Sequence, residues 1–208
     1  MSRIIEVNNE SLVSEVQKQV HLAGIRTERR TVFGCRFALS IMSDNYIDII
    51  LGSLAKTDTS RVEASTGKLS TLYRGKRAQV LDALEGCFIH AFTEGVHMTL
   101  EGTFSTDDGP CRIPEDDVCP NEESKEVHFP CNAKIKLYCA EERKADVLAS
   151  SIAKGHGVLV KEDYYCTVLQ GDIQEIFRTI EEICEAMGAL PGHPALETTL
   201  SVNSPTAE

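Results

Sequence analysis

The chain contains an internal repeat, and that repeat restricts the architectures open to it. Displacing the sequence by 96 residues, with no gap, lays Phe33, Cys35, Val62, Thr71, Gly75, Glu85, His97, Leu100, Glu101, Thr103 and Ser105 on Phe129, Cys131, Val158, Thr167, Gly171, Glu181, His193, Leu196, Glu197, Thr199 and Ser201. Five of these identities fall within residues 97–105, and the hydrophobic pattern repeats with them. Two copies of one supersecondary unit are the economical reading.

Each unit reads as the same series of elements. Cys35, Phe37, Leu39 and Ile41 alternate with Arg36, Ala38 and Ser40, the pattern of a half-buried strand. Tyr46, Ile47, Ile50, Leu51 and Leu54 follow at helical spacing behind Ser43 and Asp44, and the polar run 56–60 ends that helix. Residues 61–64 and 68–74 read as a hairpin around Ser65, Thr66 and Gly67. Val80, Leu81, Leu84, Cys87, Phe88 and Ala91 give a second amphipathic helix; Ile173, Ile176, Phe177, Ile180, Ile183, Cys184 and Met187 give its counterpart with a cleaner period. The unit closes on a strand with Val96, Met98, Leu100 and Phe104 on one side and His97, Thr99, Glu101, Thr103 and Ser105 on the other.

The order βαββαβ is that of the ferredoxin-like unit, a four-stranded antiparallel sheet with both helices on one face. The expected class is therefore α+β, with tandem ferredoxin-like repeats at 33–105 and 129–205. Each repeat is expected to have its own core, so that one continuous core would count against this reading. The helix-free face carries the polar set and needs a cover, which points to a wet interface between units or subunits. Residues 106–128, acidic and punctuated by Pro110, Pro114 and Pro120, are assigned no structure. In the extension 1–32, Leu12, Val13, Val16 and Val20 predict a short amphipathic helix, and 206–208 form a tail.

Composition excludes several function classes. The net charge is −11 and no basic stripe is present, which argues against a nucleic-acid backbone as partner and favours cationic or neutral ligands. No run approaches the ~20 apolar residues of a spanning helix, and the first 25 residues lack a basic start followed by an apolar run. The expectation is a cytoplasmic protein with no membrane insertion. Eight cysteines occur without a C-x-x-C pair, and most fall at apolar-periodic positions, as reduced core thiols do. Cys111, Cys119, His128 and Cys131 form the one candidate metal group; their spacing is irregular, and no metal is assigned.

Several stretches carry a resemblance. Phe37-Ala38-Leu39, the run 56–62, the run 69–75, Gly102-Thr103-Phe104-Ser105 and Ser201-Val202-Asn203-Ser204-Pro205 resemble, in order and spacing, stretches of the YkoF family of thiamine- and hydroxymethylpyrimidine-binding proteins. The resemblance runs over residues 33–205 without the linker. It implies a tandem ferredoxin-like homodimer that binds thiamine or its pyrimidine half without catalysis or cofactor, and that works beside a thiamine-precursor transporter.

The residues themselves suit such a ligand. An aminopyrimidine has ring-nitrogen acceptors, an amine donor and an aromatic face, and so asks for hydroxyls, a carboxylate and an apolar wall. Thr57, Asp58, Thr59, Ser60, Ser70 and Thr71 offer the polar groups, and Phe37 with Tyr73 the wall. Asp58 is a counter-charge for a thiazolium. The same residues also have structural readings: Thr57 to Ser60 as turn residues, Thr71 as a β-former, Phe37 as core. Thr167 is kept in the second repeat, where Tyr164 and Tyr165 offer aromatic surface. At the same displacement Ala133 stands for Phe37, residues 154–157 for 58–61, and Cys166 for Ser70. The second repeat is expected to bind more weakly or not at all.

Two other classes remain open: a metabolite-sensing regulatory module, and a small enzyme with His90, His97 and Glu101 as acid–base candidates. His97 and Glu101, like His193 and Glu197, share a sheet face at i, i+4, too far apart to bond, which fits interface hydrogen bonding better.

Overall fold

Apolar–polar alternation from Val32 onward makes the first strand, and the elements follow in the expected order. The structure, a computed structural model, describes residues 32–206 except Asp108, Glu141 and Pro191. In the first repeat these are β1 (Val32–Ile41), α1 (Tyr46–Lys56), β2 (Glu63–Thr66), β3 (Thr71–Gly75), α2 (Arg77–Ala91) and β4 (Met98–Asp107). The second has β5 (Pro130–Tyr138), α3 (Glu142–Gly155), β6 (Leu159–Asp163), β7 (Cys166–Asp172), α4 (Ile173–Met187) and β8 (Ala195–Val202). The fold is α+β, built from two ferredoxin-like units. The amphipathic segment expected around Leu12 to Val20 lies outside the described residues.

The units join edge to edge. All eight strands form one antiparallel sheet in the order β2-β3-β1-β4-β8-β5-β7-β6. Across the β4–β8 seam Gly102 lies opposite Thr198, Met98 opposite Val202 and Ser105 opposite Ala195. Gly102 and Thr198 are 96 residues apart, so a local twofold axis relating the repeats passes between them. The seam is tight there: a Cβ on Gly102 would stand 3.3 Å from Thr198 Oγ1 and 3.5 Å from Cys35 Sγ.

Edge pairing corrects the expectation of separate cores. With one sheet shared, α2 and α4 lie side by side, and the apolar residues of both repeats form a single buried cluster. Phe88 sits 6.4 Å from Phe129 and 6.3 Å from Phe177, and Phe92 stacks on Phe129 at 3.9 Å. The polar face is not where the units meet. It is one open surface carrying the exposed Arg36, Ser40, Glu101, Thr103, Asn132, Lys134 and Glu197.

One register also differs from the ungapped alignment. Phe37 lies opposite Thr71, whereas the residue opposite Thr167 is Ile135, not Ala133. β5 is thus displaced two residues further than the other elements, and Ile135 takes the place of Phe37. A two-residue slip leaves every side chain on the same face, so alternation alone fits both registers.

The acidic linker is ordered, contrary to its reading as structureless. Arg74 reaches Asp107, Glu63 and the Pro110 carbonyl, while Lys76 Nζ donates to the Glu115 and Asp116 carbonyls and to Asp117. The Gln79 amide donates to the Asp116 and Val118 carbonyls, and residues 122–126 then form a 3₁₀ turn. Among the described residues no helix is long and apolar enough to cross a membrane.

Candidate functional site

The pairing of β1 with β3 places Phe37 beside Thr71 and brings Phe37 against Tyr73, ring centroids 5.0 Å apart at 63°. Phe37, Thr71 and Tyr73 all point to the helix side, where α1 and α2 cover them. α1 is thinly held: Ser53 is its one fully buried residue, and Ile49, Ile50 and Leu54 are half-buried. Tyr46, Ile47 and Leu51 stand in solvent.

Polar atoms gather beneath α1. Ser53 Oγ donates to the Ile50 carbonyl at 2.9 Å and lies 3.9 Å from Cys87 Sγ on α2. Thr57 Oγ1 donates to the Ser53 carbonyl at 2.8 Å and lies 3.4 Å from His90 Nδ1. The Tyr73 hydroxyl is enclosed beside the Cys87 thiol without completing a hydrogen bond. Burial pushes the Cys87 thiol up to about 11, against the pull of the Ser53, Tyr73 and Thr57 hydroxyls, and burial also drives the Tyr73 phenol well up. Both stay protonated at neutral pH. They can donate or accept hydrogen bonds, but neither is a base or a nucleophile there.

The chain leaving α1 forms a turn at the cluster's edge. Asp58 Oδ1 accepts the Ser60 N–H at 2.8 Å; the hydrogen bonds from Ser60, helped by Arg61, hold this exposed carboxyl below its usual range. It therefore stays charged. Asn121 of the linker clamps the turn: its Oδ1 accepts the Asp58 N–H at 2.9 Å and its Nδ2 donates to the Asp58 carbonyl at 3.0 Å. Asn121 is fixed to α2 by donating from its backbone N–H and its Nδ2 to Asp82 Oδ2 at 3.1 and 2.8 Å.

The structure thus brings Tyr73 and Thr57 around Cys87, with Phe37 against Tyr73 and Thr71 alongside, its Oγ1 3.1 Å from Thr66 Oγ1. Asp58, Thr59 and Ser60 lie at the rim. Ser70 is turned away: its hydroxyl accepts from Arg36 Nη1 at 3.2 Å, on the open face of the sheet. Thr167 is buried in the second repeat. Ser53, Cys87 and Asn121 were not singled out for the site from the sequence. Their signal was faint: small polar residues within an apolar helix face, and Gly86 in mid-helix, where a Cβ would meet Asn121 at 3.0 Å.

Comparison with known proteins matches both halves of the chain. The profile described as the YKOF-related Family matches residues 32–111 and 131–207. The chain belongs to this family. A protein of Bacillus subtilis (strain 168) named "Putative HMP/thiamine-binding protein YkoF" is 32% identical over 186 residues, 84% of this chain and 92% of the relative.

Within this YkoF-related chain the two copies differ where the cluster lies. At the 96-residue spacing Tyr73, Cys87 and His90 become Leu169, Ile183 and Ala186, all three buried or nearly so in plain apolar core. α3 buries Ala145, Leu148, Ala149, Ile152 and Ala153 together with Ser150, and Ala149 stands at the 96-residue spacing from the Ser53 that α1 turns inward. The family fold is therefore made without the polar cluster in one copy and with it in the other.

The candidate metal residues are dispersed. Cys131 is in the core, and His128 Nδ1 lies 2.9 Å from Asp172 Oδ1. Cys111 lies by Glu63 and Cys119 by Asp82. Among the described residues no group of three or more His, Cys, Asp and Glu is placed to hold a metal ion. His97 Nε2 lies 3.3 Å from Ser201 Oγ, a contact across the seam between repeats.

Proposed function

We propose that this chain is a non-catalytic binding protein for thiamine or hydroxymethylpyrimidine, and that the ligand is held in the first repeat. The observation that carries the reading is the polar cluster beneath α1, whose Tyr73 hydroxyl completes no hydrogen bond. A buried polar group without a partner costs about 1–3 kcal/mol, and at the equivalent position the second repeat packs the apolar Leu169. Retaining it is reasonable if a ligand completes the set. An aminopyrimidine fits: a flat ring against Phe37 and Tyr73, an exocyclic amine and ring nitrogens for hydroxyls and imidazole. Asp58, exposed and charged on the turn that leaves α1, serves in this reading as the counter-charge for a thiazolium. The relative's name is of the same chemistry.

A protonated thiol and phenol supply neither a base nor a nucleophile at neutral pH, which supports binding over catalysis. The same proposal includes a cytoplasmic homodimer, covered on its open sheet face, acting in thiamine-precursor uptake or salvage; light scattering near twice 22.9 kDa is the check on the dimer. A thermal-shift series with thiamine, its phosphates, hydroxymethylpyrimidine and amino acids tests the ligand class. A ligand at 100 times its dissociation constant stabilises by about 2.7 kcal/mol. Stabilisation by thiamine or the pyrimidine alone is the expected result; a response to amino acids alone would favour a sensing module instead.

A further inference from the structure

A cavity lies on the local twofold axis, between α2 and α4 and under the 3₁₀ turn. It has a volume of about 180 Å³. Its walls are repeat-equivalent pairs, Leu81 with Phe177, Asp82 with Arg178, and Glu85 with Glu181, each 96 residues apart. The pairs have diverged. One side keeps the carboxylates Asp82 and Glu85, only 4% and 8% exposed, and the other supplies the ring of Phe177.

Both buried carboxylates lack a full set of partners. Asp82 uses Oδ2 for Asn121, but Asp82 Oδ1 and Glu85 Oε1 are enclosed with no hydrogen bond. The neighbouring groups do not meet this need. Gln174 lies close enough to favour a Glu85 carboxylate, but its amide donates to the Ser124 and Val127 carbonyls, and Arg178 is bound to Glu175 at 2.6 Å. Glu181 adds a third carboxylate, and Lys125 and Arg178 are exposed cations of the lining. The two enclosed carboxylates disfavour an anion in the interior. A metal ion lacks a converging ligand group among the described residues.

We infer that this cavity is a second binding site, for a small organic cation whose amidinium or ammonium group lies between Asp82 and Glu85 with its apolar part against Leu81 and Phe177. A planar amidinium offers N–H donors to both unpartnered oxygens and a face to the aromatic ring. Binding is coupled to a proton. Burial holds Glu85 up at about 7, with Asp82 and Glu181 raising it further and Lys125 and Gln174 opposing. An entering cation favours the carboxylate, so the proton leaves and affinity rises as pH rises through that range.

The probe is benzamidine, with neutral benzamide as control, titrated calorimetrically into the full chain at about pH 6 and pH 8. Saturable binding of one benzamidine per chain is expected, tighter by about tenfold at the higher pH, with no binding of benzamide. Glu85→Gln should lose both the pH dependence and at least about tenfold in affinity. Ala78→Phe, at an exposed position on the rim, should block benzamidine and leave thiamine binding unchanged. No saturable benzamidine binding at millimolar concentration, equal binding of benzamide, an unaffected Ala78→Phe variant, or displacement of benzamidine by thiamine would each overturn the assignment. None of these outcomes depends on the site under α1.

Discussion

An enclosed phenol that completes no hydrogen bond works against folding, and Tyr73 is such a group. Tyr73→Phe keeps the ring packed on Phe37 and removes only the hydroxyl. The ligand-free variant is expected to be more stable than the parent by about 1 kcal/mol in denaturant unfolding, while thiamine binds about tenfold more weakly. Loss of stability with unchanged binding would make the hydroxyl a packing group only. At this scale the sequence was half legible. Phe37, Thr71 and Tyr73 lie at alternate positions of two strands, so their common face follows from the period of two. The same rule separates Ser70 from Thr71, because neighbours on an extended chain point to opposite sides. Cys87 stands in an apolar helical pattern that gives no sign of which buried positions face hydroxyls, and the sequence offers His90 only as an acid–base candidate.

Among the elements, the linker matters most to the proposed site, because Asn121 ties the Asp58 turn to α2. Gly86 makes this possible. An alanine there gains helix propensity of roughly 1 kcal/mol, but its Cβ would stand 3.0 Å from Asn121 Cγ and 3.1 Å from Oδ1. Gly86→Ala is therefore expected to lower stability in urea unfolding, by about 1 kcal/mol net, and to weaken thiamine binding with it. A stabilised variant with full binding would show that the clamp does not position the turn. Linker order was hidden from sequence reading because its partners, Arg61, Arg74, Lys76 and Asp82, lie some 30 to 60 residues away, and local composition shows only acids and prolines. The helices were clearer. α4 buries Ile173, Ile176, Phe177, Ile180, Ile183, Cys184 and Met187, the stripe its periodicity defines.

At the scale of the whole molecule, the described residues form a pseudo-symmetric pair with one sheet, one core and two unequal halves. The repeat and its βαββαβ order were legible because identities and periodicity coincide. The mode of joining was not. The alternation on β4 and β8 is the same whether those strands pair at their edges or cover each other face to face, and the tight approach at Gly102 and Thr198 exists only once the seam is formed. The inequality of the halves leads to the central claim, that ligand binding belongs to the first repeat through the cluster under α1. Its most direct test gives the first repeat the residues of the second: Tyr73→Leu, Cys87→Ile and His90→Ala together, a set the fold already accommodates in the other copy. Thr167→Val serves as the comparison, with circular dichroism to verify folding and calorimetry to read thiamine binding. One site per chain in the parent, binding lost in the triple variant and unchanged affinity in Thr167→Val are the expected results. Full affinity in the triple variant, or binding lost only in Thr167→Val, would contradict the claim.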